Sequence, residues 1–127
     1  MNITIKQTKS NPNWEMFSKL DPYLSELFFI CCNYLLERDV DSIEITSIIR
    51  PHIQGVDSGL HADGRAIDFS QNSIPSNIGI ALQSYINDNY KYDIDRPWLE
   101  TLVFHDGSGY LGDKALHYHL QVNSRKS

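Results

Sequence analysis

The sequence predicts an α+β domain in which a small, mainly antiparallel sheet has helices packed against one side. Three observations predict this fold class: an opening segment with apolar residues at helical spacing, several short runs of β-branched or alternating residues, and a second helical segment between them. Because a chain of 127 residues is the size of one ordinary domain, we expect a single domain over residues 1–127 with one core.

Two segments have helical periodicity. The first covers residues 14–38 and is divided at Asp21 and Pro22, a pair typical of a helix N-terminus. The second covers residues 76–90. Its apolar face is predicted to consist of Ile78, Leu82, Tyr85 and Ile86.

The remaining regular segments are predicted to be extended. Ile3 and Ile5 alternate with polar neighbours, which indicates a short opening strand or an extended arm. Further strands are predicted at residues 42–49, 65–70, 99–105 and 115–122. The chemistry-bearing side chains should therefore lie on loops and strand ends of one sheet.

Charge and hydropathy exclude several classes of function. The net charge is −5, and Lys and Arg do not cluster before the last three residues, so we expect no nucleic-acid partner. The longest apolar run, residues 27–32, is too short to span a bilayer. The N-terminal residues lack the apolar core of a signal peptide, which predicts synthesis in the cytoplasm. Cys31 and Cys32 are adjacent in an apolar helical stretch, which favours buried free thiols over a redox or metal site.

Two histidines share one face of the last predicted strand. Side chains at positions i and i+2 of a strand point the same way, so His117 and His119 project together. The intervening Leu116, Tyr118 and Leu120 are expected to face the core. Packing in the core therefore accounts for the apolar residues of this strand. It does not account for the two histidines, which are available for another role.

A carboxylate and a third histidine come from an earlier segment. Alternation in the strand at residues 65–70 places Ile67 and Phe69 on the core face and Asp68 on the opposite face. His61 lies seven positions earlier, and Gly64 between them would let the chain fold back. Imidazole and carboxylate together suit zinc, and three protein ligands leave a position for water.

These segments resemble the zinc peptidases grouped as lysostaphin, D-Ala-D-Ala peptidase and hedgehog. Residues 58–69 read SGLHADGRAIDF and are followed by His117-Tyr-His119, while the group's signature is S-x-H-x-x-G-x-A-x-D followed by H-x-H or E-x-x-H. The resemblance covers residues 45–122 and implies a hedgehog/DD-peptidase-like fold. It also implies that His61, Asp68 and His119 bind zinc and that His117 contacts water or the transition state. Spacing alone does not choose between the two histidines.

Other residues take roles from the same resemblance. Arg50 matches the arginine that faces the scissile carbonyl in the D-Ala-D-Ala branch, although a strand-end surface arginine is the alternative. Ser58, displaced by one position from the signature serine, and Gln54 are assigned to substrate binding. His52 and His105 flank the motif segments and are expected at the surface or rim.

The general base departs from the family pattern. The glutamate of E-x-x-H would stand where Leu116 is, and the glutamate that the hedgehog branch has four residues before the first histidine corresponds to Asp113. Asp106 in the preceding turn and His117 itself are the other candidates. All three remain open from the sequence.

The resemblance implies a zinc metallopeptidase that cleaves the stem or cross-link peptide of bacterial peptidoglycan as a D,D- or L,D-peptidase. A phage lysin or virion-associated enzyme is expected, acting on the cell wall after release or as part of a virion, where virion proteins would be its partners. The alternatives are a catalytically inactive zinc-containing binding domain, as the hedgehog signalling domain exemplifies, and a structural virion protein with a zinc clip.

Overall fold

The computed structural model describes residues 3–7, 14–48, 64–105 and 116–123, and these residues form an α+β arrangement as predicted. In chain order the elements are β1 (Thr4–Gln7), α1 (Trp14–Phe17), α2 (Pro22–Leu36), β2 (Ser42–Ser47), β3 (Ala66–Ser70), α3 (Ser76–Asn89), β4 (Leu102–His105) and β5 (His117–Gln121). The predicted opening strand or arm is a strand.

The described strands form one mixed sheet in the order β1-β2-β3-β5-β4. β1 pairs with β2 in parallel, and the other described pairs are antiparallel. The described sheet is therefore mainly antiparallel, as predicted, with one parallel pair at β1 and β2. The reason is the connection: α1 and α2 lie between β1 and β2 in the chain, and a helical crossover returns the chain to the same end of the sheet.

The core lies between the helices and one sheet face. Phe28 of α2 packs against Phe69 of β3 with ring centroids 6.2 Å apart, and Phe69 stacks on Tyr118 of β5 at 5.4 Å. The fully buried aliphatic side chains of this core include Leu24, Leu27, Leu35, Ile43, Ile45, Ile67, Leu82, Ile86, Leu102 and Leu120. Their burial from both helices and from β2 to β5 explains why α2 and α3 share one side of the sheet.

The predicted break at Asp21 and Pro22 separates α1 from α2. The Asp21 carboxylate accepts a hydrogen bond from the Tyr23 backbone N–H at 2.9 Å, and Pro22 is the first helical residue. α2 ends at Leu36, two residues before the predicted end. Asp39 has a φ of 65°, a left-handed conformation that Asp tolerates better than most residues, and it turns the chain towards β2.

β2 is shorter than predicted and contains a bulge. Ile45 pairs with Phe69 but Ser47 pairs with Asp68, so the strand has one extra residue at this point. Thr46 is consequently exposed instead of buried, and Ser47 moves to the sheet face that carries Asp68. Ile49 of the predicted strand lies outside the described residues.

β4 begins at Leu102, three residues later than predicted. The Leu99 N–H donates to the Arg96 carbonyl in a turn, and the Thr101 N–H donates to Oδ1 of Asn87 on α3. The residues before Leu102 therefore form a turn and a contact with α3, and the regular pairing with β5 begins at Leu102.

The apolar face of α3 differs from the prediction at one position. Leu82 and Ile86 are fully buried, whereas Tyr85 is 40% exposed and stacks on Tyr34 of α2 with ring centroids 5.1 Å apart. Gly79 is buried against Tyr118 instead. The fully buried face of α3 is therefore narrower than predicted. Gly79 lies against β5, and Tyr85 contacts α2 at the border of the buried face.

Cys31 and Cys32 are buried free thiols in α2. Burial raises the pKa of Cys31 and raises that of Cys32 to about 12, so both remain protonated near neutral pH. Across the part of the chain that the structure describes, no helix is long and apolar enough to cross a membrane.

Candidate functional site

The sheet face opposite the helices carries the candidate site. The antiparallel register of β3 and β5 places Asp68 beside His119 and Ser70 beside His117. On the other side of β5, the register with β4 places His105 beside His117. Side chains of directly opposed residues share a face, so three strands contribute to one cluster.

Asp68 lies between the two histidines predicted from the His-Tyr-His pattern. Its Oδ1 atom is 2.7 Å from Nδ1 of His119, and its Oδ2 atom is 3.8 Å from Nε2 of His117. The first distance is that of a strong, charge-assisted hydrogen bond, and the second is too long for a hydrogen bond. Asp68 and His117 are both buried, so their polar interactions are poorly screened by water.

The other nitrogen of His119 is held by Gln121. Nε2 lies 3.0 Å from the Gln121 amide oxygen, and the Gln121 amide nitrogen donates to the Glu100 backbone carbonyl at 2.8 Å. A carbonyl can only accept, so the Glu100 carbonyl fixes the orientation of the amide. The Gln121 oxygen also only accepts. Nε2 of His119 therefore carries a proton.

The position of that proton determines what can lie between His119 and Asp68. In the neutral ring, protonation at Nε2 leaves a lone pair on Nδ1, and this lone pair faces a carboxylate oxygen 2.7 Å away. Two such groups repel each other unless a proton lies between them. A carboxylate oxygen and an imidazole nitrogen are typical zinc donors once that proton is released, and a bound zinc would hold the two atoms farther apart than 2.7 Å.

Comparison with known proteins gives this chain no family. No protein-family model, curated protein or solved structure matches it. The interpretation of the site therefore depends on its geometry and on the sequence pattern.

Most of the other predicted site residues lie outside the described residues. These are Arg50, Gln54, Ser58, His61 and Asp113, together with the alternative base Asp106 and the flanking His52. Within the described ranges, no group of three His, Cys, Asp or Glu side chains could hold a metal ion. Asp68 and His119 supply two ligands of the predicted set, and the third, His61, is among the undescribed residues.

His105, predicted at the surface or rim, lies on β4 at the edge of the described sheet and contacts the cluster. It is half-buried, its ring stacks on His117 with centroids 4.8 Å apart, and it meets His119 edge-on at 5.8 Å. The reason is the pairing of β4 with β5, which sets His105 directly opposite His117. Strand alternation alone could not reveal this contact, because it does not specify the register of that pair.

Gln121 was also missed, although a signal for it existed. It lies two residues after His119, so the alternation that groups the two histidines also places Gln121 on their face. Its second partner, the Glu100 carbonyl, precedes β4 and could not be inferred from the sequence.

The core-facing side of β5 is as predicted except at its start. Tyr118 and Leu120 are buried, whereas Leu116 is 41% exposed. Leu116 precedes the first paired residue of β5, so strand alternation does not extend to it.

Proposed function

We propose that this chain is a zinc-dependent peptidase acting on the peptide part of bacterial peptidoglycan, with Asp68, His119 and His61 as metal ligands. The observation that carries the proposal is the pair Asp68 Oδ1 and His119 Nδ1, 2.7 Å apart, with the His119 proton held on the opposite ring nitrogen. His61 and the substrate class rest on the sequence resemblance.

The chemistry that zinc supplies when bound is activation of a water molecule and polarisation of the scissile carbonyl. Asp68 and His119 provide the charge and the lone pair that hold it. The Gln121 amide fixes the ring of His119 and so keeps Nδ1 directed at Asp68.

His117 is suited to contact with substrate. Its Nε2 atom is on the same face as the ligand pair but is 3.8 Å from Asp68 Oδ2, and its ring is held flat against His105. An imidazole placed in this way can move a proton or donate to a developing oxyanion. Asp113 and Asp106 remain candidates for the general base, and Arg50 for the second oxyanion donor.

Digestion of purified peptidoglycan tests the proposal. The protein loaded with zinc should release peptides, a chelator should stop the release, and added zinc should restore it. Product masses distinguish a D,D- from an L,D-peptidase. Asp68→Asn, which keeps the size of the side chain and removes its charge, should be inactive, whereas Asp93→Asn, at a carboxylate that pairs with Arg96, should cleave like the parent.

Two negative results of this experiment would have different meanings. A protein that binds zinc through Asp68 but releases no product would be the binding or structural virion domain instead, a possibility favoured by Leu116 at the position of the family glutamate. If the protein binds no zinc, it is not a zinc metallopeptidase. Cleaving activity would further support a role as a phage lysin or virion-associated enzyme that meets the wall after release.

A further inference from the structure

We infer that Gln121 is a positioning residue that selects the zinc-binding tautomer of His119. This inference rests on the proposed zinc site and goes beyond it, since Gln121 is neither a proposed ligand nor a proposed substrate contact. Its amide oxygen lies 3.0 Å from His119 Nε2, and its amide nitrogen lies 2.8 Å from the Glu100 carbonyl oxygen.

Asp68 and Gln121 compete for the single proton of neutral His119. A proton on Nδ1 would form a charge-assisted hydrogen bond to Asp68 and would occupy the position that the metal needs. A proton on Nε2 leaves Nδ1 ready to bind and satisfies the Gln121 oxygen. Without Gln121, the ring would gain most by turning its proton towards Asp68, and zinc would have to displace it.

The amide of Gln121 is held in one orientation because its nitrogen donates a hydrogen bond to the Glu100 carbonyl. A rotated amide would set its oxygen against the Glu100 carbonyl oxygen and lose the 2.8 Å hydrogen bond. The same rotation would direct N–H groups at His119 Nε2 and demand the proton on Nδ1. The hydrogen bond to the Glu100 carbonyl therefore keeps the Gln121 oxygen directed at His119 and favours a proton on its Nε2 atom.

The Glu100 carbonyl is itself held in place by α3. The side-chain oxygen of Asn87 accepts from the backbone N–H groups of Thr101 and Leu102 at 2.8 and 2.9 Å, and its nitrogen donates to the Leu102 carbonyl at 2.9 Å. The Gln121 backbone N–H also donates to the Thr101 carbonyl at 2.9 Å. A continuous set of hydrogen bonds thus runs from α3 to the candidate ligand.

Zinc affinity of matched variants tests the inference. Gln121→Leu removes the acceptor at similar volume and should weaken zinc binding by about 10- to 100-fold, measured by competition with a chromophoric chelator. Gln121→Glu keeps an acceptor for Nε2 and should recover at least part of that loss. The control is Gln83→Leu, because Gln83 donates to the Glu100 side chain at 3.4 Å and should leave affinity unchanged.

A second measurement reads the tautomer directly. In protein labelled with ¹⁵N-histidine and loaded with zinc, His119 should carry its proton on Nε2 and bind the metal through Nδ1. Zinc bound through Nε2, or a Gln121→Leu variant that folds and binds zinc as tightly as the parent, would overturn the inference.

Failure of the zinc site itself gives a different result. If the parent binds no zinc, the proposed function fails, and Gln121 is judged in the metal-free protein. There the Nε2 proton of His119 should exchange with solvent more slowly in the parent than in Gln121→Leu, and equal exchange rates would refute the role of Gln121.

Discussion

At the scale of single residues, the two carboxylate oxygens of Asp68 face different histidines. Oδ1 of Asp68 faces His119 and Oδ2 faces His117, at distances that differ by more than an ångström. Two histidines that the sequence could not tell apart therefore have different surroundings. His119 is tied on both ring nitrogens, while His117 packs on His105.

Replacing each histidine separately should show this difference. His119→Ala should lose bound zinc, because it removes a proposed ligand. His117→Ala should keep most of its zinc and lose turnover, since a contact made in the transition state affects kcat far more than ground-state binding. Metal content by mass spectrometry and kcat on peptidoglycan fragments provide the two readouts. Equal zinc loss in both variants would mean that His117 is also a ligand.

At the scale of elements, α3 lies against β5 at Gly79 with no room for a side chain. A Cβ atom added there would lie 2.8 Å from Cζ of Tyr118 and would also overlap the hydroxyl of that ring. Tyr118 stands between the two site histidines on β5. The missing side chain at Gly79 thus permits the packing that supports the site strand.

Gly79→Ala should reverse the usual helix preference. In an exposed helix position this change stabilises by about 1 kcal/mol, but here the overlap should lower the free energy of unfolding by about 1 to 3 kcal/mol. Urea denaturation measures the change. Ser84→Ala, at an exposed position of α3, is the control and should be neutral or slightly stabilising.

A second change isolates the cause of that loss. Combining Gly79→Ala with Tyr118→Phe removes the overlapping hydroxyl and should recover part of the lost stability, which makes the two effects non-additive. If Gly79→Ala instead stabilised the protein, the close packing of α3 on β5 would be refuted.

The thiols of α2 give a prediction about the core. Because burial raises the pKa of Cys32 to about 12 and also raises that of Cys31, neither forms a reactive thiolate at pH 7 or 8. A chromogenic disulfide reagent should label neither thiol in the folded protein and both in guanidinium chloride. Rapid labelling of the folded protein would show that α2 is not packed as described.

At the scale of the whole molecule, a metal that joins distant strands should stabilise the fold. Zinc at 100 times its dissociation constant adds about 2.7 kcal/mol to the free energy of unfolding, which corresponds to a rise in Tm of roughly 8 to 15 °C for a chain of this size. Thermal unfolding with zinc and then with excess chelator measures the shift and its reversal.

The same scan on variants assigns the stabilisation to the site. Asp68→Asn should abolish the shift. Asp93→Asn, whose carboxylate accepts from Arg96 and from the Asp95 backbone N–H, should retain it. A full shift in Asp68→Asn would place the bound zinc elsewhere in the molecule.

Much of the local structure could be predicted from the sequence, because helices and strands follow from periodicity within a short segment. Helical spacing predicted α2 and α3, and Asp21 was recognised as the cap of α2. Strand alternation placed Asp68, His117 and His119 on faces turned away from the core, as the structure has them. These properties depend on neighbours in the chain.

Only the tertiary structure decided which segments pair and in what register. The fold sets β1 parallel to β2 and places a bulge near Thr46. It also stacks His105 on the ring of His117 and places the Gln121 amide beside Nε2 of His119. Pairing between segments tens of residues apart is chosen by burial and hydrogen bonding of the whole sheet, and alternation within one strand carries no information about it. Local patterns thus identified Asp68, His117 and His119 as side chains available for chemistry, and the packing of the sheet determined which groups they meet.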